Sequence, residues 1–294
     1  MTPVAVLITI ASYFLILFTI SYIAGRKADN EGFFVGNRKS AWYVVAFAMI
    51  GSSISGVTFV SVPGMVGISN FSYLQMVLGF VTGQIIIAFV LIPLFYRMNL
   101  VSIYEYLENR FGTSSYKTGA WFFFISKILG AAVRLYLVCL TLQLLVFEPF
   151  HMPFIMNVIL TVALVWLYTF RGGVKSLIWT DSLKTFCLIV SVVLCIYYIS
   201  TDLKLSFTEM FSTVSDSALS HMFFFDNVND KRYFFKQFLA GVFTMIAMTG
   251  LDQDMMQRNL SCKNFKDSQK NMITSGISQF FIILLFLMLG VLLY

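Results

Sequence analysis

The residues in this 294-residue chain that most need a chemical explanation are charged and amide side chains set in long apolar runs. Lys127 and Arg134 stand seven residues apart, two helical turns, and so share one helix face. A basic residue near the centre of a membrane helix costs roughly 2.5–3.5 kcal/mol on insertion scales. Arg134, between Ala131, Ala132, Val133 and Leu135, therefore needs an internal partner or an aqueous cavity. Its guanidinium fork suits an anionic solute; a buried pair with a carboxylate such as Asp252 is the alternative. Asp181, just after Trp179 and Thr180, caps a helix by dipole or serves as a transient cation station. In MTGLDQDMMQR (residues 248–258), Gly250 weakens the helix ahead of Asp252, Gln253 and Asp254. That pattern is a second interrupted segment, or an ordinary helix end with Arg258 pairing Asp254 at i, i+4. Gln75 and Gln84 bond either to a solute or to a neighbouring helix.

These groups surround one unusual stretch, Met49 to Gly64, MIGSSISGVTFVSVPG. It lies within an apolar run long enough to cross a bilayer, yet holds Gly51, Ser52, Ser53, Ser55, Gly56, Thr58, Ser61, Pro63 and Gly64. Gly and Pro free backbone carbonyls, which at membrane depth are tolerated only when buried in protein or lining a cavity. A helix broken near mid-membrane beside hydroxyls is a common way for secondary transporters to build an ion and solute site. Tight small-residue packing of an unbroken helix is the other reading.

The scaffold follows from composition. Hydrophobic residues make up 59% and charged ones 12%, with 32 Phe, which places the chain in the polytopic membrane class. At about 20 apolar residues per crossing, eight spans are expected, at 4–24, 42–66, 71–96, 118–146, 153–170, 180–200, 236–256 and 270–294, in a single transmembrane domain covering 1–294. The first is a retained span, since no basic residue precedes it and no small-residue cleavage site follows. Alternate linkers hold Arg26, Lys27, Arg38, Lys39, Arg97, Arg110, Lys117, Arg171, Lys175, Arg258, Lys263 and Lys266; the other side holds Lys204, Lys231 and Arg232, all in the loop 201–235. That bias puts the first set in the cytoplasm and the N-terminus outside. The segment SIYEYLENRFG (102–112) reads as a short amphipathic helix on the cytoplasmic face, ended by Gly112, and Arg171-Gly172-Gly173 as a tight turn. The Phe223-Phe224-Phe225 run in the long loop packs on the bundle or the interface.

Several function classes fall away. The net charge of +6 is scattered over short loops rather than gathered on one face, so it reflects topology and not nucleic-acid binding. Cys139, Cys187, Cys195 and Cys262 form no CxxC pair and read as small core residues. His151 and His221 lie in outside loops, and neither HExxH nor a phosphate-binding glycine motif occurs. An ion gradient is then the energy source for any transport.

The chain resembles the sodium:solute symporter family through FFVGNRKSAWYVVAFAMIGSSISGVTFVSVPG (33–64), SIYEYLENRFG (102–112), GGVKSLIWTDSLKTF (172–186) and LDQDMMQRNLSCKN (251–264). The resemblance implies an all-α membrane helix bundle with an inverted-repeat, LeuT-like core and an extra helix ahead of it. Residues 42–200 would form the first repeat and 236–294 the start of an incomplete second one. It further implies sodium as the coupling ion, held by the backbone carbonyls of Gly51 and Ile54, with Asp181 on the sodium path. Ser53, Ser55 and Thr58 match positions beside the ion or the solute. Met248 falls where sugar-carrying relatives place a gating tyrosine, and Asp252 and Gln253 where they place polar residues; with Arg134 and Gln75 these make up the expected solute set. The absent tyrosine and the presence of Arg134 favour a carboxylate-bearing solute over a sugar. The expected function is sodium-coupled symport of a small organic solute across the plasma membrane by alternating access. A solute sensor of the same fold is the alternative, since the same bundle can bind solute and signal to a fused domain beyond Tyr294; further spans there favour transport, a kinase-like extension favours sensing.

Overall fold

A computed structural model describes residues 3–25, 39–100, 102–169 and 173–294; the basic stretch 26–38 and the turn at Arg171 and Gly172 lie outside the described residues. In chain order the helices are α1 (Pro3–Gly25), α2 (Trp42–Ser53), α3 (Gly56–Ser69), α4 (Tyr73–Ile86), α5 (Ile92–Arg97), α6 (Ile103–Phe111), α7 (Thr113–Leu142), α8 (Phe154–Thr169), α9 (Gly173–Asp202), α10 (Phe207–Asp216), α11 (Phe234–Met245), α12 (Gln253–Asn259) and α13 (Phe265–Leu293). Wider π turns continue α4 at Ile87–Leu91, α7 at Gln143–Phe147 and α11 at Ile246–Gly250. Among the described residues the one extended pairing is a single bridge between Ser40 and Cys262. Among the described residues five stretches are long and apolar enough to cross a membrane, and six if the bent pair of α11 and α12 counts as one.

The chain packs as two compact units, Met1–Lys39 with Leu100–Thr180, and Ser40–Asn99 with Asp181–Tyr294. In the first unit, α6 is the expected amphipathic helix. Ser102 caps it by accepting the Tyr104 amide at 3.1 Å, and Gly112 ends it at φ +87°, a left-handed value open to glycine. Tyr104 and Leu107 fold back on Gly119 of α7, where a Cβ would lie only 3.1–3.2 Å away. Asn157 of α8, fully buried, donates to the Cys139 carbonyl at 2.7 Å and to Gln143 Oε1 at 3.3 Å, which ties α8 to α7 where its π turn begins and satisfies the buried amide.

In the second unit, Gly79 and Gly83 of α4 face Gly241 and Met245 of α11. The helices approach so closely that a Cβ on Gly79 would sit 2.9 Å from the Gly241 Cα, the small-xxx-small contact of membrane helix pairs. Helix α13 runs along the interrupted pair α2 and α3: Asn271 Nδ2 meets Met49 Sδ at 3.2 Å, the Phe286 and Phe59 rings stand edge to face at 5.3 Å, and Gly290 lies against Pro63 and Val66. The long loop carries α10, which the sequence reading left without a helix. The Glu209 carboxylate accepts the Ser206 amide at 2.7 Å, and Met210 and Val214 are buried. Phe223 and Phe225 pack on Phe234 of α11. All four cysteines are free; burial pushes the Cys262 thiol up to about 12, so it stays protonated.

Candidate functional site

Helix α2 stops at Ser53 and α3 starts at Gly56, with Ile54 (φ −97°, ψ 121°) and Ser55 (φ −112°, ψ 172°) extended between them. The local reasons are plain. Serine offers the backbone competing hydrogen bonds, β-branched Ile resists the helix, and Gly56 has low helix propensity. In a continuous helix the amides of Ser55 to Thr58 would bond to the carbonyls of Gly51 to Ile54. Here they do not: the Ser55 amide donates to the Thr58 hydroxyl at 3.3 Å, and Thr58 returns its own amide to the Ser55 side chain. Four main-chain oxygens at one level of the second unit are thereby released from helix bonding.

Helix α9 crosses α2 so closely that a Cβ on Gly51 would collide with the Thr185 hydroxyl and sit 2.7 Å from the Asp181 carbonyl oxygen. Thr185 Oγ1 donates to the Phe47 carbonyl at 2.8 Å, and Ser182 Oγ to that of Val44 at 3.3 Å. The first half of the interrupted helix, α2, is thus clamped by hydroxyls of α9.

The candidate residues divide by what they touch. Ser53 is exposed and donates to the Met49 carbonyl at 2.9 Å, while Ser55 and Thr58 are half-buried and engaged in capping. Ile54 buries its side chain, leaving its carbonyl as the available group. Gln75 is fully buried with both ends of its amide used: Nε2 donates to the Arg232 carbonyl at 2.8 Å, and Oε1 accepts the Phe224 amide at 3.2 Å. It fastens the long loop to α4, so in this structure its partners are loop main-chain groups and not a neighbouring helix. Arg134 lies on α7 in the first unit, exposed and without an ion pair among the described residues.

Asp181 is not in a first helical turn. Because α9 starts at Gly173 rather than near 180, Asp181 sits two turns inside the helix and cannot cap it, which corrects the dipole reading. Instead it is buried in an ion pair with Arg258, also buried. Its Oδ2 additionally accepts Ser52 Oγ at 3.2 Å, Arg258 Nη1 donates to that hydroxyl at 2.7 Å, and Lys184 Nζ reaches Oδ1 at 2.8 Å. Arg258 also pairs Asp254 at 3.2 Å, as the i, i+4 spacing predicts. One arginine therefore joins α9, α12 and, through Ser52, the interrupted α2.

A second discontinuity lies at Leu251 and Asp252, where α11 with its π turn and α12 meet at 73°. The Asp252 carboxylate accepts the Met255 amide at 3.1 Å and so caps α12. Gln253 is half-buried in the first turn of α12, and Met248 is exposed on the π turn. Both sequence alternatives hold together here: the helix is broken, and Arg258 does pair Asp254.

The sequence reading passed over Gln279. It shares the face of α13 that carries Asn271 and Phe286, whose contacts are Met49 and Phe59, and it lies midway between them. That places a buried side-chain amide at the level of Ile54 and Ser55. The polar recurrence Asn271, Ser275, Gln279 at four-residue steps was the available signal. Among the described residues no cluster of three His, Cys, Asp or Glu could hold a metal ion. The donor set on offer is neutral oxygen, which suits a hard monovalent cation and not a soft or transition metal.

Comparison with known proteins agrees with this layout. A profile of the sodium:solute symporter family matches residues 33–294. Human sodium-coupled monocarboxylate transporter 2 is 26% identical over 246 residues, covering 83% of this chain and 39% of that protein. The sodium/sialic acid symporter NanT of Aliivibrio fischeri is 26% identical over 269 residues, covering 87% and 50%. This chain thus spans half or less of the length of these relatives. The substrate-bound, outward-open structure of a Na+-coupled sialic acid symporter overlays with a TM-score of 0.83 at 22% identity, covering 96% of this chain and 59% of that one, which shows a shared fold. With its apolar helices, its interrupted α2–α3 pair and a profile match over most of its length, this multi-pass membrane chain belongs to the sodium:solute symporter family.

Proposed function

We propose that the chain carries out sodium-coupled symport of a small carboxylate-bearing solute by alternating access, with the ion held by the main-chain oxygens of Gly51 and Ile54. The observation that carries the reading is the withdrawal of the Ser55 to Thr58 amides from those carbonyls. Ser53, Ser55 and Thr58 supply hydroxyls beside the ion, and Met248, Asp252 and Gln253 line the second discontinuity. Gln279 joins them as an amide at the same level. Arg134 is the cation proposed to meet the solute carboxylate. A carboxylate is the group shared by the solutes in the names of both relatives, a monocarboxylate and a sialic acid. Those relatives are transporters; neither is an enzyme or a sensor.

Ion and solute act through differential affinity. Sodium at the interruption stabilises the outward-facing state, the solute then favours closure of the outer side, and the gradient drives inward release. The buried Asp181–Arg258 pair ties α9 to α12 in this structure and would have to separate or move as a body when the inner side opens. The charge bias of the linkers supports a plasma-membrane protein with its N-terminus outside and eight crossings, two of them discontinuous.

Uptake into proteoliposomes tests the reading, with radiolabelled lactate and sialic acid offered in NaCl or in choline chloride. Sodium-dependent accumulation of either solute is expected, abolished by Arg134→Ala without loss of protein. Equal uptake in the two salts contradicts sodium coupling; uptake unaffected by Arg134→Ala removes that residue from the site.

A further inference from the structure

The carboxylate of Asp181 sits a short step from the interrupted helix, buried, with an oxygen donor at its side in Ser52. By type and place it is the group best suited to attract a second cation. Its surroundings say otherwise. Oδ1 is taken by the Lys184 ammonium at 2.8 Å, and Oδ2 by Arg258 and Ser52. Arg258 is shared with Asp254, so among the described residues Asp181, Asp254, Lys184 and Arg258 bring two acids and two bases together in matched number. A sodium ion entering it would meet two fixed cations and would have to displace an ammonium that α9 itself holds in place. Lys184 lies three residues from Asp181, one turn on the same helix, so its effective concentration at the carboxylate is far above that of any free ion. Its side chain is about one-third exposed, long enough to reach inward while its stem stays at the surface of the unit.

Resting on the sodium-coupled reading above, we propose that Lys184 is a tethered cation that occupies Asp181 in place of a coupling ion, so that sodium binds at the interruption of α2 and α3 and not at Asp181. The ammonium supplies the charge that Asp181 needs in the membrane and keeps that carboxylate out of the ion stoichiometry. Removing the ammonium leaves the cluster with a net negative charge and Asp181 Oδ1 open beside the Ser52 hydroxyl, a site of hard oxygen donors for sodium.

The test counts sodium directly, with no solute present, by equilibrium binding of 22Na+ to the purified chain in a choline chloride background. One equivalent is expected for the wild type and for Lys184→Arg, two for Lys184→Gln, and one again for Lys184→Gln combined with Asp181→Asn. A thermal melt of each variant establishes that it is folded. Two equivalents in the wild type, or one in a folded Lys184→Gln, overturn the inference. If Lys184→Gln does not fold, the wild-type and Lys184→Arg counts decide alone, since two equivalents in either overturn it. Absence of bound sodium in every variant would overturn the coupling function as well, whereas one equivalent in all four overturns only the role of Lys184.

Discussion

The interruptions at Ile54–Ser55 and at Leu251–Asp252 use the same backbone device to opposite electrostatic ends. At the first, the capping groups are neutral hydroxyls, so the Ser55 and Thr58 amides are satisfied without a charged cap beside the released carbonyls. At the second, a carboxylate caps the following helix, and two turns on that helix delivers Arg258 into a buried ion pair. A cation is favoured where only neutral oxygens are offered. Where charges are already matched, the break serves to place a side chain. The contrast is between two discontinuous helices in one unit, one proposed to hold an ion and the other fastened by buried charges.

The largest effect in this comparison belongs to the charged side. Arg258→Ala leaves Asp181 buried with half its compensation gone, and breaking such a pair costs roughly 3–5 kcal/mol. The expected result is a steep fall in thermal unfolding temperature in detergent, with partial recovery in Arg258→Lys; an unchanged melt would mean that the pair holds nothing together. Next comes repair of the neutral break. Ser55→Ala with Gly56→Ala favours a continuous helix by about 1 kcal/mol at the glycine alone and re-engages the Gly51 to Ile54 carbonyls. Sodium affinity, measured by 22Na+ binding, is expected to fall about tenfold or more, equivalent to about 1.4 kcal/mol. Unaltered affinity would erase the distinction between the two breaks.

A smaller effect is expected at the second break, where Asp252→Ala removes a cap worth about 1 kcal/mol. A modest drop in unfolding temperature is the signature, well below that of Arg258→Ala. The smallest lies at the rim. Arg232 holds Asp230 through paired hydrogen bonds, stacks over Phe224 at 4.3 Å and reaches Asn70 at 3.3 Å. The hydrogen bonds from Arg232 keep the Asp230 carboxyl below the usual aspartate range. A depressed carboxylate contributes stability that is present above its unfolded value and lost as pH falls through its folded value. Loop docking, read by limited proteolysis of 203–233, should therefore be constant through neutral and mildly acidic pH and loosen only below the ordinary aspartate range. Loosening near neutrality would point to a different latch.

What could be read from sequence divides along the same line. The break at Ile54–Ser55 was legible because its cause is local: serines, a glycine and a proline crowded into one apolar run. The amphipathic α6 and the Arg258–Asp254 pair were legible for the same reason, since helical spacing determines both. The partner of Asp181 was not, because Arg258 lies 77 residues away and only the fold brings them together. The early start of α9 was hidden by the Gly172-Gly173 pair, which reads as a turn although the helix already begins at Gly173. Gln279 was hidden by its setting, an isolated amide in an apolar helix whose importance comes from the break opposite. Helix α10 was within reach, since Ser206 and Glu209 have capping-box spacing, but the polar loop around it masked the signal.

The central claim is that main-chain oxygens at Gly51 and Ile54 hold sodium. Hydrogen–deuterium exchange over residues 49–64, compared in NaCl and choline chloride, tests it most directly. Sodium-dependent slowing confined to the amides around Ile54 to Thr58 is the predicted result, and exchange there that is identical in the two salts would contradict the account.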